Sequence, residues 1–287
     1  MFVIIGYVVI CGTIFGGYAM AGGHLGGLWQ PLEVLMIFGG AIGAFVVGND
    51  NKAIKATMKA LPSVFKGSKY TKALYMDLLA LLFEILSKIR KEGMMSIEKD
   101  VEDPESSALF GKYPKILHDH HLVEFITDYL RLMVSGNMDA FQVENLMDNE
   151  IETHHMEGHV PAHCVAKMGD ALPAFGIVAA VMGVVHTMES LHLPPNELGV
   201  LIGHALVGTF LGILLAYGFV GPLSGLLEQK LEESTKMFQT VKVTLLASLN
   251  GYAPAIAVEF GRKVLYSTER PGFAELEDHV KAARAAK

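Results

Sequence analysis

The chain has 287 residues, of which 51% are hydrophobic and 18% charged, with a formal net charge of −7 and two cysteines. The acidic balance argues against a nucleic-acid-binding protein, which carries a basic footprint, and two cysteines are too few for a disulfide-stabilised scaffold. The composition instead indicates a membrane protein with a substantial soluble part.

The distribution of positive charge divides the chain into four segments. All 23 lysines and arginines lie in Lys52–Lys167 and Lys230–Lys287, so Met1–Asn51 and Met168–Gln229 contain none. The two segments without positive charge hold the long apolar runs. Because a helix that crosses about 30 Å of hydrocarbon needs roughly 20 mostly apolar residues, these two segments are predicted to lie in the membrane.

The apolar runs predict four spanning helices, at about Phe2–Met20, Leu32–Gly48, Ala171–Leu191 and Leu198–Leu227. Positively charged segments stay in the cytoplasm, so the N-terminus, the large loop and the C-terminus are all expected there. A cleaved signal peptide is the alternative for the first run, since Ala19-Met20-Ala21 resembles a cleavage site. No basic residue precedes that run and a second follows soon, which favours a span.

The segment between the second and third runs has a helical pattern. Leu74, Leu78, Leu82 and Ile85 recur at helical spacing, and a second stripe from Leu122 to Met133 ends before Gly136, a plausible helix cap. The later apolar run Val241–Phe260 is interrupted by polar residues and proline, so we interpret it as a core helix of the cytoplasmic domain.

The fold class is therefore all-α, a polytopic membrane protein with four transmembrane helices and a helical cytoplasmic domain. The predicted domains are residues 1–51 for the first two spans, 52–168 for the cytoplasmic domain, 169–228 for the last two spans, and 229–287 for a cytoplasmic tail.

Charged residues cluster at the predicted end of one cytoplasmic helix. Lys88, Arg90 and Lys91 precede Gly93, and an acidic run from Glu98 to Glu105 follows. Cations are favourable at helix C-termini and acidic runs are commonly solvated, so a plain surface explains this pattern. A docking face for a partner explains it as well.

Two histidine clusters, His118–His121 and His154–His163, raise the question of a metal site. His155, His159 and His163 would share one helical face, but Pro161 is expected to break that helix before His163. No paired cysteine or H-E-x-x-H motif accompanies them. A metal site is the less favoured interpretation.

Small residues form one face on each of the last two spans, which allows close helix approach. Packing within the chain and the lining of a partner helix or narrow path are both compatible with these faces. The candidate lining residues are Gly176, Ala180, Gly183 and Thr187 on span three, and Ala205, Thr209, Gly212 and Ala216 on span four.

No carboxylate lies in the middle of any span in the sequence, since Glu33 and Asp170 sit at edges. An ion pathway normally needs an ionisable group at depth. A partner helix would therefore have to supply it if this chain moves ions.

Two prolines lie in the last two spans. Pro173 falls in the predicted first turn of span three, where proline is a good helix starter. Pro222 lies low in span four, where it would oppose the Gly218 carbonyl and produce either a static kink or a hinge.

Several stretches resemble the MotA family of bacterial flagellar motor stator proteins along essentially the whole chain. The most specific are SKYTKALYMDLLALL, DYLRLMVSGNMDAF, LPAFGIVAAVMGVVH and HALVGTFLGILLAYGF. The resemblance implies a non-enzymatic inner-membrane protein that forms a ring of five around two copies of MotB. MotB would supply the proton-binding aspartate and the peptidoglycan anchor.

The same resemblance implies that the ring drives the rotor protein FliG through charges that match Arg90 and Glu98, with Glu150 a weaker candidate. Pro173 and Pro222 match the two prolines that couple ion flow to the cytoplasmic domain. Sodium-driven relatives have a threonine at the position of Ala180, paired with one at Thr209. Since alanine offers no oxygen ligand, we expect protons as the coupling ion and no cofactor.

An ExbB- or TolQ-like energiser of another envelope process is the alternative function, although such chains have fewer spans. A solute transporter would predict inverted repeats, which the sequence lacks. A non-conducting scaffold stays open.

Overall fold

The structure is a computed structural model that describes residues 2–136 and 138–285. Met1, Ala286 and Lys287, at the ends of the predicted segments, lie outside the described residues. That part of the chain is helical and contains no strand. The helices are α1 Phe2–Met20, α2 Pro31–Val47, α3 Asn51–Ala60, α4 Lys72–Glu92, α5 Glu98–Glu102, α6 Pro114–Leu117, α7 His120–Ser135, α8 Ala140–Glu189, α9 Pro195–Ile213, α10 Gly221–Leu249, α11 Pro254–Val264 and α12 Phe273–Ala285.

The described residues form two compact units. The first, here called the membrane unit, contains residues 2–67 and 157–230, and the second unit contains residues 68–136, 138–156 and 231–285. The long helices α8 and α10 contribute residues to both. The units divide the chain at other positions than the predicted domains, because α3 and the turn after it belong to the membrane unit.

Within residues 2–136 and 138–285, four helices are long and apolar enough to cross a membrane, which confirms the predicted number of spans. Helix α1 has the predicted bounds, and α2 begins and ends one residue earlier than expected. Asp50 caps the following helix, since its Oδ1 accepts a hydrogen bond of 2.7 Å from the Ala53 amide. The chain therefore changes from an apolar to a polar helix within three residues.

Helix α8 is continuous over 50 residues and contains both Pro161 and Pro173. The expected break at Pro161 is therefore wrong, and Pro173 is internal to the helix rather than a residue of its first turn. An internal proline costs about 3 kcal/mol because it removes one backbone donor. Packing offsets this cost, since Ala162 lies in a core with Val64 and Leu227, and Leu172 is fully buried.

A π-helical segment, Leu214–Val220, connects α9 to α10 without interrupting the helix. The Gly221 amide donates to the Ala216 carbonyl five residues earlier. A Cβ at Gly221 would lie 2.9 Å from that same oxygen, so only glycine fits. Pro222 is the next residue of the same continuous helix, so its missing backbone donor falls directly after the π segment.

The second unit has one hydrophobic core, built mainly by α4, α7, α10 and α11. Both predicted stripes are buried in it, and α7 ends at Gly136, whose φ of 64° gives the left-handed cap predicted there. Val241, Leu245 and Val258 are also buried, which confirms that the run Val241–Phe260 is core. It forms two helices rather than one, because the chain turns at Gly251 with φ of 84°.

Helix α11 packs on α4 and α10 through Gly261. A Cβ at this position would overlap Thr244 Oγ1 and lie 3.0 Å from Leu79 Cδ2. The absence of a side chain at Gly261 therefore sets how closely these helices approach.

We expect Gly261→Ala to lower the free energy of unfolding by about 1–3 kcal/mol, as overpacking does at other core sites. Thermal unfolding of the full chain in detergent, followed by circular dichroism, measures the effect. Gly111→Ala in the same unit is the control, because nothing lies within 4 Å of its added Cβ. Equal melting temperatures for the two variants would contradict the tight packing.

Candidate functional site

The backbones of α8 and α9 come into contact inside the membrane unit. A Cβ at Gly176 would lie 2.8 Å from the Gly208 carbonyl oxygen, and one at Gly212 would lie 2.8 Å from the Leu172 carbonyl oxygen. At Gly183, an added Cβ would lie 2.8 Å from Ala205 Cβ. We call these five residues, Gly176, Gly183, Ala205, Gly208 and Gly212, the small-residue interface.

The eight candidate lining residues divide into two groups by burial. Six belong to the packing of the single chain, because they are buried or contact the opposite helix: Gly176, Gly183, Thr187, Ala205, Gly212 and Ala216. Thr187 also uses its hydroxyl within its own helix, where it donates to the Gly183 carbonyl at 2.9 Å. For these six residues, the contacts within the single chain support the first of the two interpretations, packing within the chain.

Ala180 and Thr209 form the second group, since both are half-buried beside the small-residue interface. The Ala180 amide nitrogen lies 3.2 Å from where a Cβ at Gly208 would be, and Thr209 is the next residue. Among the described residues the Thr209 hydroxyl makes no side-chain hydrogen bond. This pair therefore offers one hydroxyl and one methyl at the edge of the helix contact.

Glu33 is a further functional candidate. The sequence predicted that it lies at the edge of a span, and it was not included among the candidate site residues. The side chain is buried, with 7% of the residue exposed, and no partner in the described chain bonds to its Oε2. That oxygen lies 3.2 Å from where a Cβ at Gly208 would be. The first turn of α2 therefore aims a carboxyl group at the contact of α8 and α9.

Many large apolar side chains of the spans are exposed. Val8 and Leu35 are each 66% exposed, and Val181 and Leu206 are similarly open. Side chains of this kind suit hydrocarbon, so the exposed faces of the membrane unit fit a lipid environment or a partner helix.

In the second unit, the end of α4 and the start of α5 carry exposed charges that form no ion pair with any described residue. We call this set the charged face; it contains Arg90, Lys91, Glu92, Glu98 and Lys99. Both predicted rotor-contact residues, Arg90 and Glu98, belong to it. Helix α4 ends because Gly93 has a φ of 86°, which leaves the cations at its C-terminal, electronegative end.

Neighbouring charges of the same types are paired and hold the charged face in position. Lys88 Nζ lies 2.7 Å from Asp100 Oδ2, and the other oxygen of Asp100 accepts from Ser107 at 2.6 Å. Arg131 on α7 bonds to Glu102 at 3.0 Å and to the Val101 carbonyl at 3.0 Å. These contacts fix α5 against α4 and α7 and leave Arg90 and Glu98 available.

Glu150, the weaker rotor candidate, differs from both because it has a partner within the unit. The Tyr129 hydroxyl donates to Glu150 Oε2 at 2.7 Å. Burial, together with this carboxylate, raises the pKa of Tyr129 above its ordinary value. Tyr129 therefore remains a neutral donor that orients Glu150.

The histidine clusters have local partners. His118 Nδ1 lies 2.5 Å from the Pro114 carbonyl oxygen, and His154 Nε2 lies 3.1 Å from Ser234 Oγ. His159 and His163 stack with ring centroids 6.2 Å apart. In the described part of the chain, no three His, Cys, Asp or Glu side chains are arranged to hold a metal ion.

Two family models match the chain. Residues 4–93 match the motility protein A N-terminal model, and residues 118–240 match the MotA/TolQ/ExbB proton channel family. The motility protein A of Salmonella typhimurium is 62% identical over 284 residues, which cover 99% of this chain and 96% of that protein. The corresponding Escherichia coli protein is 61% identical over the same length.

More distant relatives share the fold. The chemotaxis protein LafT of Vibrio parahaemolyticus is 37% identical over 95% of this chain and 96% of its own. A MotAB structure from C. jejuni superposes with a TM-score of 0.77 at 20% identity, covering 92% of this chain and 95% of the other. The MotAB stator complex of Bacillus subtilis gives 0.70 at 24% identity, with coverages of 89% and 92%.

We expect Gly212→Ala to destabilise the membrane unit by about 1–3 kcal/mol, since the added Cβ would meet backbone atoms that cannot rotate away. The measurement is the melting temperature of the full chain in detergent, with the yield in membranes. Gly203→Ala on the same helix is the control, because its added Cβ meets nothing within 4 Å. If Gly212→Ala melted like this control, the close approach of α8 and α9 would be refuted.

Proposed function

The chain belongs to the motility protein A family, and we propose from this membership that it is a stator subunit of a bacterial flagellar motor that couples proton flow to flagellar rotation. The observation that carries the proposal is 62% identity to a motility protein A along 99% of the chain. The match of residues 4–93 to the motility protein A N-terminal model favours this role over an ExbB- or TolQ-like energiser.

The proposed site of action is the bacterial inner membrane, with the N-terminus, the second unit and the C-terminus in the cytoplasm. The four apolar helices support a membrane-embedded protein. The confinement of all positive charge to two segments supports the orientation, because lysine and arginine accumulate on the cytoplasmic side.

The proposed partner in the membrane is MotB, around which this chain would form a ring, with five copies expected. Both superposed structures are MotAB structures, which supports this partner. The half-buried pair Ala180 and Thr209 would then face the partner helix at the edge of the small-residue interface. MotB would contribute the carboxylate that receives the proton.

The proposed rotor contact is the charged face, which would engage FliG. A charge that is already paired gains little from a new partner, whereas an exposed unpaired charge can complement an opposite charge directly. Arg90 and Glu98 meet this condition, and Glu150 meets it less well because Tyr129 bonds to it.

The proposed coupling element is the helix that contains the π segment and Pro222. Single π turns inside α-helices often occur at functional sites. The Gly221 amide bonds five residues back, and Pro222, which has no backbone donor, follows it directly. Pro173, internal to α8 and next to Gly212, would respond to changes at the helix contact, since its Cα lies 3.3 Å from where a Gly212 Cβ would be.

The charge reversals Arg90→Glu and Glu98→Lys are each expected to weaken rotor engagement by roughly fivefold, the scale of an exposed charge pair. The double variant should swim better than either single variant, because reversing both signs returns the net charge of the charged face to its wild-type value. Motility in a stator-deleted cell measures this. Lys115→Glu, another exposed cation without an ion pair among the described residues, is the control and should swim normally.

Equal loss in both single variants and the double variant would argue against the electrostatic rotor contact. If Lys115→Glu lost as much motility as the single variants, the net charge of the chain, rather than the position of the reversed charge, would set the effect.

Protons are the proposed coupling ion because Ala180 offers no oxygen ligand beside Thr209, and sodium requires several oxygen ligands. Motility should collapse when a protonophore is added and should not change when external sodium is varied. Swimming speed in the complemented cell is the measurement. Speed that follows external sodium and survives the protonophore would overturn the assignment.

A further inference from the structure

We propose that Glu33 is a second proton-binding carboxyl of the transport pathway, contributed by this chain itself and placed beside Ala180 and Thr209. The inference rests on the proposed function, since it names a further residue on the same proton route. It also revises the expectation that this chain lacks a carboxylate at depth.

The Glu33 carboxyl group lies where the spanning helices meet. Glu33 lies in the first turn of α2, three residues after Gln30, yet its Oε2 lies 3.2 Å from where a Cβ at Gly208 would be, and so does the Ala180 amide nitrogen. Ala180 is close to the middle of the third predicted span, Ala171–Leu191. The carboxyl is therefore surrounded by helices at the level where the third and fourth spans touch.

The surroundings of the Glu33 carboxyl group favour its neutral form. Residues 1–51 and 168–229 contain no lysine or arginine, so no such side chain from these segments can neutralise a carboxylate there. Oε2, the Ala179 Cβ and the Ala180 amide nitrogen each lie 3.2 Å from where a Cβ at Gly208 would be, and the nearest titratable side chain along α9 is His204, one turn earlier. A buried ionised carboxylate without a partner costs several kcal/mol, so the neutral acid is the stable form.

The Glu33 carboxyl group lies next to the expected ion route. Gly208 precedes Thr209, and the Ala180 amide lies against the same site. Both positions flank the expected ion route. A neutral carboxylic acid at this place can release its proton to one side and then take up another from the other side, whereas an amide of the same shape cannot.

The test uses the complex with its partner, purified into lipid nanodiscs, and compares Glu33→Gln, Glu33→Asp and the control Glu189→Gln. Infrared spectroscopy at neutral pH should show the carbonyl band of a protonated carboxylic acid in the wild type. Part of the band should be lost in Glu33→Gln, with any remainder coming from the partner's proton-binding carboxyl, and the full band should be retained in Glu189→Gln, since Glu189 is exposed. Identical spectra for the wild type and Glu33→Gln would show that Glu33 is ionised and would overturn the proposal.

Proton flux into liposomes tests the pathway itself. Glu33→Gln should cut the flux by about a hundredfold, the scale of losing a proton-transfer group, while Glu33→Asp keeps part of it. A purely structural role predicts the reverse order, because glutamine fills the space of glutamate and aspartate does not. Wild-type flux in Glu33→Gln, or loss of its assembly with the partner, would also overturn the proposal.

The failure of this inference is distinguishable from failure of the proposed function. If the wild-type complex conducted no protons, the proposed function would fail, and the pathway role of Glu33 would fail with it. If the wild type conducted and Glu33→Gln conducted equally, only the role of Glu33 would fail.

Discussion

The contact between the backbones of α8 and α9 is the constraint from which the rest of the membrane unit follows. Helices in lipid gain no hydrophobic energy by associating, so they depend on close van der Waals packing, which small residues permit. At Gly176 and Gly212 the separation leaves no room for a Cβ. The Ala180 amide nitrogen and the Glu33 carboxyl oxygen both lie 3.2 Å from where a Cβ at Gly208 would be, so the same close approach places them at one site.

The membrane plan and much of the second unit could be predicted from the sequence, because hydropathy and helical periodicity are local signals. The stripe on α4 and the cap at Gly136 are examples, and both lie within one helix. The continuity of α8 could not be predicted, since a proline signals a break locally. What holds the helix at Pro161 is packing with Val64 and Leu227, which are distant in the sequence.

In the candidate site, too, local features could be predicted from the sequence, whereas contacts between distant segments could not. Charge clusters are visible in a sequence, but pairing is not: Lys88 and Arg90 differ by two positions, and only Lys88 meets an acid, Asp100 of another helix. Glu33 was predicted to lie at an edge because it is the second residue of the predicted span Leu32–Gly48. The small side chains of α8 and α9 leave room for its carboxyl between them, and that depends on three segments of the chain.

The π segment Leu214–Val220 also changes how the fourth spanning helix must be drawn. A π turn holds about one residue more than an α turn, so every position after Val220 is displaced by about 100° around the axis. A single helical wheel running from Pro195 to Leu249 therefore assigns the wrong face to its second half. Spectroscopic labels or cross-linking cysteines chosen from such a wheel would sit more than a quarter of a circle from the intended neighbour.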